Sequence, residues 1–307
     1  MANDEANDTE NPRRPPDPDS GGGPVPRSRL VRELRELGLE PGDVVMVHCR
    51  MSALGHVVGG AETVARALLD ATAPGGTLMA YTGWQDEPPE DLDALGEEAR
   101  RAHLEEHPPY DPRTSLARRD HGRIPEALRM WPGSLHSGHP EAGVAAVGPL
   151  AEMLTAEHPR DDAYGAGTPY ARLVEAGGRV AMVGAPLETV TLVHHAEAIA
   201  NVPGKRRVSY GMPILAGNPA ERLWRTFSDI NTSEGAFPYE RILGEEDYIE
   251  HIARSALAAG VGMEGAVGEA SAYLFDARRL VEHAVDWIEY NFRSGSSGGP
   301  TLQGGNS

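Results

Sequence analysis

Residues 178–204 read GRVAMVGAPLETVTLVHHAEAIANVPG. The first part, GRVAMVGAP, is a short β-branched apolar run closed by a glycine and a proline, the pattern of a covered strand. The second, VHHAEAIANV, has helical spacing, with Thr191 placed to cap its start and Pro203 and Gly204 to stop it. A short apolar strand that runs directly into a helix is the unit of an α/β protein. The helical half raises a further question, because it carries His194, His195 and Glu197 among apolar residues. Buried imidazole or carboxylate groups cost free energy unless they are paired or used.

The same alternation recurs on both sides of this stretch. SRLVRELRELGL has helical periodicity and ends at a glycine, and PGDVVMVHCRM is a turn followed by a strand. AETVARALLDATAPGG predicts a second helix and TLMAYTGW a second strand. RRVSYGMPIL and RLWRTFSDI look like antiparallel additions, so the expected fold is α/β: one domain with a central mixed sheet covered by helices. Residues 1–27 and 293–307 are polar and rich in Pro, Gly and Ser, and are expected to be disordered tails around a single domain at 28–292.

The 307 residues hold 28 Lys plus Arg against 46 Asp plus Glu, a net charge of -18. That sign excludes nucleic acid and anionic membrane surfaces as natural partners, and it concentrates polycations. Cys49 is the only cysteine, which rules out an intrachain disulfide and any cysteine-based zinc site. A lone cysteine after a β-run is the pattern of an inert core thiol. With no membrane-length apolar run and no signal-peptide pattern at the start, a cytoplasmic protein is expected.

Common catalytic signatures are missing. The chain has no G-x-S-x-G elbow, no G-x-x-x-x-G-K-[ST] phosphate loop and no H-E-x-x-H motif. DINTSEGAFPYE, at 229–240, spaces oxygen-bearing residues like a calcium loop, but its glycine stands at the seventh position instead of the sixth. On the helix, His194 and Glu197 are three apart and share a face. They could form a general base with its orienting carboxylate, a helix-surface pair, or two ligands of a metal. His195 diverges from His194 by about 100°, so the two histidines chelate one ion poorly.

Several separated segments together resemble the aminoglycoside 3-N-acetyltransferases. They are VHCRMSALGHVVGG at 47–60, WQDEP at 84–88, HSGHPEAGVAAVGPLA at 136–151, TLVHHAE at 191–197, FSDINTSEGAF at 227–237 and EGAVGEASAYLFDARRLVEHAVDWI at 264–288. The resemblance covers nearly everything except the two tails. It implies an antibiotic N-acetyltransferase-like α/β fold and transfer of the acetyl group of acetyl-CoA to the 3-amino group of 2-deoxystreptamine aminoglycosides, which inactivates the antibiotic. The partners it implies are coenzyme A and the drug, with no resident metal, in a monomer or homodimer.

Residue by residue, the resemblance places the catalytic histidine on His194 and the family's acidic residue on Asp229. The cofactor loop after the first strand offers Arg50, Met51 and Ser52. The second cofactor element, commonly R-S-x-H-P, stands here as HSGHP, so His136 replaces an arginine beside Ser137 and His139. Substrate contacts fall on Trp84, Asp86 and Glu87 of the WQDEP loop, with Glu197 and Asn231 as further candidates. The chemistry suits these residue types. A neutral imidazole can accept the proton that an ammonium must lose before attacking a thioester, and a carboxylate can fix its tautomer. Direct transfer is expected, since no serine or cysteine stands in a nucleophile motif.

Overall fold

A computed structural model describes residues 22–217 and 221–293. Its centre is a seven-stranded sheet in the order β3-β4-β2-β1-β5-β9-β8. The strands are β1 (Val44–Cys49), β2 (Thr77–Tyr81), β3 (Leu135–His136), β4 (Val144–Val147), β5 (Arg179–Val183), β8 (Gly262–Val267) and β9 (Ala270–Asp276). β1 runs parallel to both β2 and β5, and the outer strands are antiparallel. The sheet is therefore mixed, as expected, with a parallel trio at its middle.

Continuous apolar runs such as VVMVHC suit that trio because both faces are covered. Side chains alternate between two cores. Val45, Val47, Leu78 and Ala181 face the helices Arg27–Glu36 and Gly60–Thr72, and Met46, Met79 and Met182 face the side of helix Leu192–Ile199. No helix among the described residues is long and apolar enough to cross a membrane.

Three expectations need correction. The segments around 207–216 and 221–230 do not extend the central sheet. They pair only with each other, as β6 (Arg207–Ala216) and β7 (Glu221–Ile230), in a separate antiparallel ribbon. A satellite core of Trp84, Tyr110, Tyr210, Met212 and Phe227 gives the ribbon its own apolar support. Thr191 does not cap its helix: its backbone is already helical, and its hydroxyl donates to Thr189 O at 3.4 Å. The helix ends at Ile199, before Pro203, where Ala200 turns to extended geometry. Within the expected N-terminal tail, Val25 is fully buried and bridges Val57. The remainder of the expected tails lies outside the described residues, apart from Gly22–Arg27 and Arg293.

Candidate active site

Ligands of α/β sheets bind beyond the carboxyl ends of the parallel strands, where the connections diverge. Here a cleft of about 490 Å³ opens at the ends of β1, β2 and β5. Its walls include His48, Arg50, Tyr81, His121, Thr191 and His194.

His194 reaches the cleft from helix Leu192–Ile199, its side chain 11% exposed. Its Nδ1 lies 2.7 Å from Glu197 Oε2, one helical turn on. Glu197 is completely buried. Its Oε1 accepts from Ala236 N and the Tyr239 hydroxyl, both at 2.9 Å, and its Oε2 also accepts from the Tyr248 hydroxyl at 3.2 Å. Three protein donors already converge on this carboxylate, the environment of an acceptor, and in that arrangement the imidazole N–H sits on Nδ1. That leaves the Nε2 lone pair of His194 as the basic nitrogen. The edge of Tyr164 packs on the same imidazole, with ring centroids 5.3 Å apart.

The sequence assigned the carboxylate role differently. Asp229 does not partner His194: its Oδ1 accepts from Ala163 N at 2.6 Å and its Oδ2 from the Tyr210 hydroxyl at 3.0 Å. Burial pushes its carboxyl up to about 7, against the lowering effect of the Ala163 bond. Glu197, expected to touch substrate, is sealed in the core instead. His195 is a buried core histidine, bonded through Nδ1 to Tyr164 O at 2.6 Å and held neutral by burial.

The two cofactor elements part company. Arg50 is exposed at the cleft wall, 3.4 Å from the Ser52 hydroxyl, and among the described residues it makes no ion pair. Met51 turns toward the core packed around Leu54 and Leu68. The HSGHP segment lies elsewhere. His136 bonds the Arg129 carbonyl through Nε2 at 3.0 Å, and burial lowers its pKa. Ser137 is fully buried, accepting from Val144 N at 3.0 Å beside His158. His139 is fully buried too, its Nδ1 accepting from Ala142 N at 3.0 Å. Its Nε2 stands 3.6 Å from Asp229 Oδ2, too far for a hydrogen bond, and burial keeps the ring neutral. These three residues brace the interior and do not line the cleft.

Trp84 is 2% exposed and belongs to the satellite core. Asp86 is exposed. Glu87 pairs with Arg118, and burial raises its carboxyl to about 7 despite that partner. Glu90, Asp120 and Glu141 add to the same negative field. Asn231 is spent on its own turn, Oδ1 accepting from Glu234 N at 3.0 Å and Nδ2 donating to Glu234 Oε2 at 3.2 Å.

Sequence reasoning missed His48, Tyr81, Asp120 and His121. The His121 ring stacks on Tyr81 with centroids 4.5 Å apart, and its Nδ1 lies 3.2 Å from Thr82 O. Neither carries a local motif. His48 had a signal, since two-residue alternation along β1 sets it on the same face as Met46, one step before the strand ends.

Comparison with known proteins identifies relatives of the whole fold. A family model described as aminoglycoside 3-N-acetyltransferase matches residues 46–289. The chain is 50% identical over 268 residues to aminoglycoside N(3)-acetyltransferase IX of Micromonospora chalcea, covering 87% of this chain and 95% of that one. Among solved structures, aminoglycoside acetyltransferase AAC(3)-Xa superposes with a TM-score of 0.86 at 50% identity, over 89% of this chain and 95% of its own. AAC-IIIb, solved as a binary complex with CoASH, gives 0.81 at 39% identity, over 89% and 100%.

Proposed function

The chain belongs to the aminoglycoside 3-N-acetyltransferases, a family of acyltransferases, and from that premise we propose that it moves the acetyl group of acetyl-CoA to the 3-amino group of a 2-deoxystreptamine aminoglycoside with His194 as general base. The observation that carries this reading is the His194–Glu197 pair at the wall of the cleft.

With the proton of His194 on Nδ1 toward Glu197, Nε2 is the ring nitrogen left to act as acceptor at the cleft. A neutral imidazole removes a proton from an amine as the new bond forms, and such assistance contributes roughly 10²–10⁴-fold. The buried carboxylate also stabilises the imidazolium that forms during transfer. After transfer, the same nitrogen returns the proton to the departing thiolate.

The cleft volume of about 490 Å³ suits the arm of a large cosubstrate. Arg50, exposed and without an acidic partner among the described residues, supplies a cation for the phosphates of coenzyme A at its rim. The polycationic drug is drawn by the negative field around Glu87, Asp120 and Glu141. Acetylation removes one of its ammonium charges and so inactivates it.

The test is thiol release from acetyl-CoA, followed with a chromogenic thiol reagent across aminoglycosides that have or lack a 3-amino group. Release confined to the 3-amino compounds is the expected result. Release regardless of that group, or none at all, contradicts the proposal.

A further inference from the structure

Three donors on one short stretch of chain converge on a single carboxylate. Ala236 N and the hydroxyls of Tyr239 and Tyr248 all reach Glu197, which stands on helix Leu192–Ile199. The backbone of this stretch is shaped for the approach. Gly235 has φ +81°, a left-handed conformation that glycine adopts at no steric cost. A Cβ there would stand 2.6 Å from Tyr239 Cδ2 and 3.2 Å from Tyr248 Cε1. Tyr248 is the first residue of helix Tyr248–Ala258, and the next, Ile249, lines the cleft together with His194.

The two rings would pack as well without their oxygens. They stack on each other with centroids 3.9 Å apart and 7° between planes, and Tyr239 also packs against Trp287 and Phe292. Phenylalanine at either position would keep that packing and bring no polar atom into the core. Among the described residues each hydroxyl makes one hydrogen bond, and in both cases the acceptor is Glu197. Burial, reinforced by the Glu197 charge, pushes both phenols upward, so both keep their protons and remain donors.

The donors differ in the oxygen they meet. Tyr239 shares Oε1 with Ala236 N, whereas Tyr248 shares Oε2 with His194 Nδ1. A hydrogen bond to a carboxylate favours its ionised form and takes up part of its charge. The charge left on Oε2 is what stabilises a proton added to His194. The pair titrates as a unit, and donors on the carboxylate hold its proton affinity down.

We infer that Tyr239 and Tyr248 are positioning residues of the reaction, whose hydroxyls hold Glu197 as an ionised acceptor and so set how tightly His194 keeps a proton. This rests on the reading of His194 as general base. The base has to be neutral when the amine arrives, and a carboxylate stripped of its donors would keep the imidazole protonated to higher pH. Other groups act on the pair as well. Tyr164 packs on the imidazole, the Glu141 charge acts on His194, and Lys205 interacts with Glu197. Asp247 acts on Tyr248, and His48, Arg50, Tyr81, Asp120, His121 and Glu188 share the cleft wall. All of these remain in place when a single hydroxyl is removed.

The test is the titration of His194, followed by NMR on the substrate-free chain with labelled imidazoles, in wild type, Tyr248→Phe, Tyr239→Phe and the double variant. His194→Ala identifies the resonance. The pH profile of kcat/KM with acetyl-CoA and a 3-amino aminoglycoside is measured alongside. In Tyr248→Phe the midpoint is expected to move up by about 0.5–1 pH unit, and the acid limb of the kcat/KM profile to move with it. Tyr239→Phe is expected to give a smaller upward move, since Oε1 keeps Ala236 N, and the double variant to move at least as far as Tyr248→Phe. A purely structural role for the rings predicts no movement, because phenylalanine preserves the stack. A midpoint that stays fixed or falls in Tyr248→Phe overturns the inference and leaves the base reading standing. If His194→Ala keeps most of its rate, the base reading fails and the inference fails with it. Thermal melting confirms that each variant is compared in its folded state.

Discussion

Glu197 Oε2 accepts the Nδ1 proton of His194 at 2.7 Å from a position with no solvent exposure. Its other contacts, from Tyr239, Tyr248 and Ala236, all donate. Glu197→Gln replaces one acceptor oxygen with an NH2 group. If that group faces His194, the imidazole must accept at Nδ1 and carry its proton on Nε2, which removes the base. The expected loss in kcat is about 10²–10⁴-fold, with coenzyme A affinity retained. Steady-state kinetics and calorimetric titration together check this. A variant with near-wild-type kcat would show that the tautomer of His194 is set by something other than Glu197.

Asp229 offers a pH test of stability. Its carboxyl titrates near 7 in the folded chain against an ordinary 3.8, because burial disfavours the charge. The folded state therefore binds a proton that the unfolded chain has lost between those values. Stability from this group is full below about 4 and declines as pH rises toward 7. Asp229→Asn has no such titration. Its Tm relative to wild type is expected to rise between pH 5 and pH 8 by on the order of a few degrees. A Tm difference that does not change with pH contradicts the raised carboxyl.

Trp84 sits in the ribbon's satellite core, 2% exposed, with its ring 5.5 Å from Tyr110. Trp84→Ala is expected to cost about 3–5 kcal/mol by denaturant unfolding, the range for large-to-small changes in a core. Trp84→Phe keeps most of the volume and is expected to leave the KM for aminoglycoside little changed. A large rise in KM with Trp84→Phe, without loss of stability, would instead mark Trp84 as a drug contact.

Much of this architecture is legible in the sequence because strand and helix periods are local. The runs at 44–49, 77–81 and 179–183 are short and mostly apolar, and they form the parallel trio. Where β6 and β7 pair is not a local property. Their alternation predicts strands, but not that Tyr210, Met212 and Phe227 pack with Trp84 and Tyr110 into a core of their own. The site divides in the same way. The spacing of His194 and Glu197 marks one helix face, but not that Tyr239 and Tyr248 close over the carboxylate from chain more than 40 residues away. His136, Ser137 and His139 carry a recognisable pattern, yet their side chains are committed to backbone groups of Arg129, Val144 and Ala142. A motif records residue type, and it does not say which face of the chain meets the cleft.

The most direct test of the account is His194→Ala, measured for turnover and for coenzyme A binding in the same preparation. The account predicts that kcat falls by about 10²–10⁴-fold while coenzyme A binds as it does to wild type. A folded variant that kept most of its kcat would contradict the assignment of His194 as the base.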